Sequence, residues 1–395
     1  MMKKQSPAQP HSRRSVLRAA AALGCAGLGV WGRLLSATGP GANWMPAGLG
    51  VPDENGVRLP QGFRSRIVAR AGRVVGRQGY RWHVFPDGGA CFGTADGGWV
   101  YVSNSETPTP SGGVGVLAFD ASGTLVDAYP ILQRSHLNCA GGATPWGTWL
   151  SCEEHPGGVI WECAVDRLAP RQLPALGIFE HEAVTIDPNT MFLYMTEDIS
   201  DGCLYRFRPS SVQEGIPDLE RGTLEVAVVL DGMVSWVPVP NPQPQIRRFR
   251  GDAPTRYQVA DCTHFDGGEG IAWHDGQIYM ATKGDNRIWV HDVAAQTLKV
   301  LYDASTHPNP ILRGVDNVMV NRSGEVLVAE DGDDMQIVVI APDGSMAPLL
   351  QVVGQDGSEI AGPAFDPSGT RLYFSSQRGN GLGLTYEISA PAAFG

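Results

Sequence analysis

The chain has 395 residues, a formal net charge of −11, and 50 glycines and 29 prolines. That acidic balance speaks against nucleic acid as a partner. So much glycine and proline, with few long amphipathic runs, rules out a helical bundle and favours an all-β protein with many turns.

Residues 1–42 read as an address. Arg13-Arg14-Ser15-Val16-Leu17 follows a polar, basic start and precedes an Ala/Gly/Leu run to Val30, the outline of a twin-arginine export signal. Small residues near Ala37 or Ala42 suit cleavage. The apolar run holds Arg18 and is broken by Arg33, so a stable membrane span is not expected. Cys25 has the place of a lipobox cysteine, but Ala22 stands where such boxes carry Leu. The expected partner of this segment is the Tat translocon, and the expected location is periplasmic or secreted. Cleavage removes Lys3, Lys4, Arg13, Arg14, Arg18 and Arg33, and no acid precedes Asp53, so six positive charges leave and −11 becomes −17. Residues 43–395 then form a single domain.

Strand-like runs recur along that domain: Gly98–Ser103, Met191–Thr196, Gln277–Thr282, Glu325–Ala329 and Arg371–Ser375. Turns precede most of them, as in Asp187-Pro188-Asn189, Asp275-Gly276 and Asp366-Pro367-Ser368-Gly369. Taking Glu106, Glu153, Glu197, Lys283, Glu330 and Gln377 as their end residues gives separations of 47, 44, 86, 47 and 47. This is the period of propeller blades. The predicted fold is a six-bladed β-propeller with one insertion, placed at about 233–261 and carrying Arg247-Arg248-Phe249-Arg250. A seventh, degenerate blade there is the alternative. Third strands are predicted at Gly115–Phe119, Val159–Cys163, Leu204–Phe207, Arg287–His291, Gln336–Ile340 and Leu384–Ile388. A strand near Ser65–Ala69 is predicted to complete the last blade and close the ring.

Propeller geometry brings equivalent strand ends to one mouth of the central channel, where acids distant in sequence would meet. Crowded carboxylates repel unless cations neutralise them. The candidate ligands are Cys152, Glu153, Glu154, Glu182, Glu197, Asp198, Glu269, Asp316, Glu330 and Asp331. Cys152-Glu153-Glu154 joins a soft thiolate to hard carboxylates, a mixture that suits more than one kind of metal. Gly267-Gly268-Glu269-Gly270 places an acid where backbones pass closely. His181 is expected to be a satisfied polar histidine rather than a ligand. Lys283, Arg313, Arg378 and Asn317 lie near the predicted mouth and are the candidates for holding an anionic group there. Six cysteines remain after cleavage, with no CxxC pair; a Cys139–Cys152 bridge would take Cys152 out of metal duty.

The segment Asn138-Cys139-Ala140-Gly141-Gly142-Ala143-Thr144-Pro145-Trp146-Gly147-Thr148-Trp149-Leu150-Ser151-Cys152-Glu153-Glu154 resembles the signature of PhoX-family bacterial alkaline phosphatases. So do Phe179–Val184, Thr196-Glu197-Asp198, Gly268-Glu269-Gly270, Val315–Val318, Ala329–Gly332 and Gly362–Phe365. The resemblance implies a phosphatase acting on small phosphate monoesters, with Fe³⁺ and Ca²⁺ at the channel mouth and Cys152 on iron. Ser105 departs from the family pattern, which carries His there. Two other readings share the fold: a calcium-dependent lactonase with one main divalent ion, and a non-catalytic, calcium-stabilised binding propeller.

Overall fold

The computed structural model describes residues 45–46, 48–245, 251–332 and 334–395. The export-signal residues, Arg247–Arg250 and Asp333 lie outside these. Among the described residues no helix is long and apolar enough to cross a membrane. Among the described residues the regular structure is strand, apart from three single-turn 3₁₀ segments.

The domain is a β-propeller. Its innermost strands, Pro86–Gly93, Asn138–Ala143, His181–Asp187, Gly268–His274, Val315–Val320 and Ile360–Phe365, pack side by side in a closed ring around the axis. Each begins an antiparallel meander running outward, and we number the blades one to six in that order. The strands are buried on both sides because each blade is sandwiched by its neighbours; Phe192–Glu197 and Val326–Glu330, for example, are almost wholly buried. Apolar residues therefore run continuously in them instead of alternating. The turns have identifiable causes. The Asp187 and Asp366 carboxylates accept backbone N–H groups two to five residues on. Asp275-Gly276 has φ of 44° and 79°, the left-handed pair that a tight hairpin requires.

Ring closure is as predicted: Arg64–Arg70 pairs antiparallel with Leu384–Ser389 as the outer strand of blade six. The predicted third strands also stand. Blade separation needs correction. The segment from residue 233 is not a loop excursion at its start. Met233–Pro238 adds a fifth strand to blade three, and Met233 pairs with Thr297 of blade four. Blades three and four thereby share one ten-stranded sheet. The chain then runs through a 3₁₀ turn at Thr255–Tyr257 and returns as His264–Phe265, paired with Gly202 and Cys203.

Candidate active site

One irregularity repeats around the ring and builds the site. In every blade the pairing of the two innermost strands slips by one residue near the same end, a β-bulge, at Asp87-Gly88, Cys139-Ala140, Glu182-Ala183, Glu269-Gly270, Asp316-Asn317 and Gly362-Pro363. A bulge re-aims side chains and sharpens twist. Here it brings Asp87, Cys139, Glu182, Glu269 and Asp316 to the axis, with Gly362 in the sixth place. Gly362 has φ of 63°, and a Cβ there would lie 2.7 Å from the Asp87 carbonyl oxygen. Gly270 is as tightly placed: a Cβ would sit 2.7 Å from Asn317 Cα, which explains the glycine after Glu269.

Following the register past the bulge, the next residues to face the axis are Glu106, Glu154, Asp198, Lys283 and Asp331. They form a rim above the bulge ring. Ligand atoms of these residues approach within 4.8 Å of one another in overlapping groups: Cys139–Glu154–Glu182, Glu182–Glu269–Asp316, Asp316–Asp331–Glu359 and Asp87–Glu106–Glu359. The floor is deeply buried, with Glu182 and Glu269 each 1% exposed. Below it lies a cavity of about 60 Å³ lined by Gly88, Ala140, Gly141, Gly270, Asn317 and Gly362. The rim opens to solvent through Asp331, Lys283 and Arg378, whose side chains are 32%, 35% and 44% exposed.

Of the predicted ligands, Glu154, Glu182, Asp198, Glu269, Asp316 and Asp331 meet in this cup. Cys152, Glu153, Glu197 and Glu330 do not. Cys152 lies opposite the bulge, fully buried among Leu150, Ile160 and Phe179. Cys139 takes the axial place instead, and both thiols are free, so no Cys139–Cys152 bridge exists. Glu153, Glu197 and Glu330 each precede a rim residue, and successive strand side chains point to opposite sides. They turn into their own blades and accept backbone N–H groups of neighbouring loops and strand starts. Glu153 takes that of His136 at 3.0 Å, Glu197 that of Cys203 at 3.1 Å, and Glu330 those of Arg313 and Gln336 at 2.9 Å. Ser105, at the equivalent place in blade one, likewise turns away and donates to the Val84 carbonyl. His181 is buried, its Nε2 bonded to the Gly177 carbonyl and its pKa lowered to about 3 by burial; the ring is neutral, but Nδ1 is buried without a partner, so the histidine is only half satisfied.

The predicted phosphate-holding residues divide. Lys283 Nζ lies 2.6 Å from Glu269, 3.3 Å from Asp331 and 3.8 Å from Asp316. Arg378 reaches in from the rim to Glu359 at 2.8 Å. Asn317 is a floor residue: it donates to Asp316 at 2.6 Å and accepts the Gly362 N–H at 2.7 Å, fixing the acid's orientation. Arg313 is exposed and joins the network through its backbone N–H on Glu330 rather than through its guanidinium.

Sequence reasoning missed Asp87, Cys139 and Glu359 as axial groups, and used Glu106 only as a blade marker. Asp87-Gly88 has the acid-then-glycine pattern of Glu269-Gly270, a usable signal. Glu359 had none, because it precedes its strand and enters through an isolated bridge with Asp331.

The electrostatics are those of a cup made for cations. Burial first, then neighbouring acids, raises the pKa of Glu182, Glu269 and Asp87. Glu154 and Glu359 are pushed up to about 8, chiefly by burial, with Asp198 and Asp316 respectively adding repulsion. Asp316 is raised to about 6, burial outweighing the opposing pull of Lys283. Burial also raises the Cys139 thiol. Lys283 is raised in turn: burial opposes its charge, but Asp316 and Glu269 outweigh burial. Both carboxylate oxygens of Glu182 are buried with no hydrogen-bond partner. Buried polar atoms are seldom left so.

A propeller with a buried polycarboxylate cup at one channel mouth, rimmed by a lysine and an arginine, defines a class of site whose chemistry suits cations and, beside them, anionic esters. The comparisons sharpen this. The family model "Alkaline phosphatase PhoX" matches residues 110–167 and 161–379. The chain belongs to that family of phosphoric monoester hydrolases. Among solved structures, Pseudomonas fluorescens PhoX in complex with vanadate, a transition state analogue, is similar over 90% of this chain and 99% of that one, with TM-score 0.70 and 16% identity. A structural-genomics protein of unknown function from Bacteroides thetaiotaomicron aligns over 83% of this chain and 76% of that one, with TM-score 0.54 and 7% identity. No curated protein sequence matches.

Proposed function

We propose that this phosphatase is metal-dependent and exported, and that its cup holds Fe³⁺ and Ca²⁺ for the hydrolysis of small phosphate monoesters. The observation that carries the reading is Glu182: a fully buried carboxyl with two unpartnered oxygens, between Cys139 and Glu154 on one side and Glu269 and Asp316 on the other. The donor chemistry fits two kinds of ion. Cys139 with Glu154 and Glu182 mixes thiolate and carboxylate and suits iron. The groups Asp316–Asp331–Glu359 and Asp87–Glu106–Glu359 are all oxygen and suit calcium. When bound, such ions supply positive charge against which phosphoryl oxygens bind and transition-state charge is stabilised.

The protein's own residues do the rest. Lys283 Nζ and the Arg378 guanidinium stand at the open rim, where they can bind the outward oxygens of a phosphate. Asn317 and Gln377 hold the acids in place, Gln377 donating to Glu106 at 2.8 Å and Asp87 at 2.5 Å. Among the described residues no serine or threonine lies in the cup as an evident nucleophile. The mixed thiolate and carboxylate set also favours this reading over a single-calcium lactonase.

The test is elemental analysis of natively exported protein beside hydrolysis of an aryl phosphate, before and after chelation. Iron and calcium together, with activity lost on chelation and restored by the two metals, is the expected result. Full activity in metal-free protein would end the proposal. Export through the twin-arginine route, with the Tat translocon as transient partner, is supported by Arg13-Arg14 and the apolar run after it. Replacing both arginines by Lys should leave the protein in the cytoplasm; unchanged export would remove that part.

A further inference from the structure

Outside the cup, one cluster of metal-ligating side chains has no part in the phosphatase site. Cys203 lies on the third strand of blade three, and Cys262 and His264 lie where the chain returns from its excursion. Their contacts form a compact triangle. The two sulfurs are 3.8 Å apart, His264 Nε2 is 3.7 Å from Cys262 Sγ, and His264 Nδ1 is 3.7 Å from Cys203 Sγ. Both cysteines are buried and free, whereas His264 is exposed. One ligand atom from each residue falls within 4.8 Å of the other two.

These lengths have a physical meaning. For sulfur about 2.3 Å from a tetrahedral zinc, the edge between two sulfurs is about 3.8 Å, and an edge from sulfur to imidazole nitrogen is about 3.5 Å. A disulfide needs its sulfurs about 2.05 Å apart. The sulfur–sulfur contact and the Cys262 Sγ–Nε2 contact are close to two edges of a coordination tetrahedron built on Nε2, whereas the 3.7 Å contact of Cys203 is to Nδ1 and is not one of its edges. The imidazole is prepared in the manner of a ligand: Nδ1 lies 2.6 Å from the Asp201 carbonyl oxygen, so it carries the proton there and leaves the Nε2 lone pair free. His264 also lines a cavity of about 380 Å³ between blades three and four, with Thr263, Asp266 and Arg287, which gives an ion a way in.

We propose that Cys203, Cys262 and His264 bind one thiophilic divalent cation of the Zn²⁺ class, with water from the adjoining cavity in the fourth position. The ion clamps the end of the inserted excursion to blade three. Binding displaces two thiol protons to solvent and leaves a thiolate–thiolate–imidazole set. Without the ion the Cys262 thiol donates to the Arg256 carbonyl at 3.0 Å, a bond given up when its proton leaves, while the Arg256 guanidinium holds Glu197 at 2.9 Å and Glu180 at 3.3 Å.

Co²⁺ titration of the mature protein, purified under reducing conditions, tests this. Cobalt bound by two thiolates gives an intense sulfur-to-metal charge-transfer absorption. A Cys139→Ser protein removes the thiolate of the cup from the signal. The expected result is a band that saturates at one equivalent in the Cys139→Ser protein, is abolished by one equivalent of Zn²⁺, and disappears when Cys203→Ser is added. In case that variant fails to fold, His264→Ala changes only an exposed side chain and should weaken Co²⁺ binding by roughly 100-fold. Absence of the band from folded Cys139→Ser protein would overturn the proposal. So would protein isolated from a zinc-replete culture without reductant that is two hydrogens lighter than its reduced form and bridged between Cys203 and Cys262.

Discussion

Removing the ions from the cup should make stability depend on pH in a direction fixed by the structure. Glu154 and Glu359 each have a folded pKa of about 8 against an ordinary value of 4.5, from burial and neighbouring acids. A carboxyl raised in this way contributes stability that is fully present below its unfolded pKa and is lost as pH rises through the folded value. Metal-free protein should therefore weaken steadily from about pH 4.5 to pH 8. At the alkaline end each group resists ionisation by roughly 5 kcal/mol. The two share neighbours, so their effects do not simply add. A joint loss of roughly 5–8 kcal/mol would consume most of the 5–15 kcal/mol that holds typical domains together.

The assay is thermal unfolding of chelated and metal-loaded protein between pH 5 and pH 9. Chelated protein should lose roughly 10 °C or more over that range, allowing about 2 °C per kcal/mol in a chain of this size. Loaded protein should stay nearly level, because the cations hold the carboxylates ionised throughout. Calorimetry should also show metal binding near pH 6.5 releasing protons, and fewer of them at pH 9. Parallel unfolding curves for the two forms, with no proton release, would refute the reasoning. The acids would then be neutralised by something other than metal.

Other substitutions separate the axial residues from their look-alikes. Cys139→Ser should lose iron and show a midpoint that falls as pH rises, as in chelated protein, whereas Cys152→Ser should keep its metal and lose roughly 1–3 kcal/mol at every pH, because a hydroxyl is left in an apolar core; metal analysis and denaturant unfolding distinguish them. Lys283→Ala should lower kcat/KM for an aryl phosphate by roughly 10- to 100-fold, the worth of a hydrogen bond to a charged group, and an unchanged value would remove Lys283 from the substrate's path. Arg256→Ala leaves buried Glu197 without its ion pair, at roughly 3–5 kcal/mol. Glu197 already sits at about 7, raised by burial against the pull of Arg256. Losing Arg256 raises it further, so the penalty should be small near pH 5 and grow toward pH 9 in denaturant titrations.

The fold was legible because the blade repeat is a covalent fact: each meander needs a similar length of chain, and separations of 47 residues survive in the sequence. The site was legible only to within one residue. Steps of 47 and 44 from Glu106, and of 47 from Lys283, land on Glu153, Glu197 and Glu330, yet in each of those blades the rim acid is the next residue, Glu154, Asp198 or Asp331. Counting along the chain could not settle this, because adjacent strand residues face opposite ways and a slip of one exchanges axis for blade interior. The deciding element is the bulge, which leaves two residues of the innermost strand facing one of its partner. Its signal in sequence is faint: an acid or cysteine followed by a small or amide residue, as in Asp87-Gly88, Cys139-Ala140, Glu182-Ala183, Glu269-Gly270 and Asp316-Asn317. That pairing has a cause. The first residue must reach the axis, and the second must let the neighbouring innermost strand approach, as Gly270 does against Asn317. Read by that rule, Cys139 is the axial thiolate and Cys152 a core residue, although the Cys-Glu-Glu triplet looks the better metal motif. The rule does not reach Glu359, whose place depends on a contact between blades five and six that leaves no period in the chain.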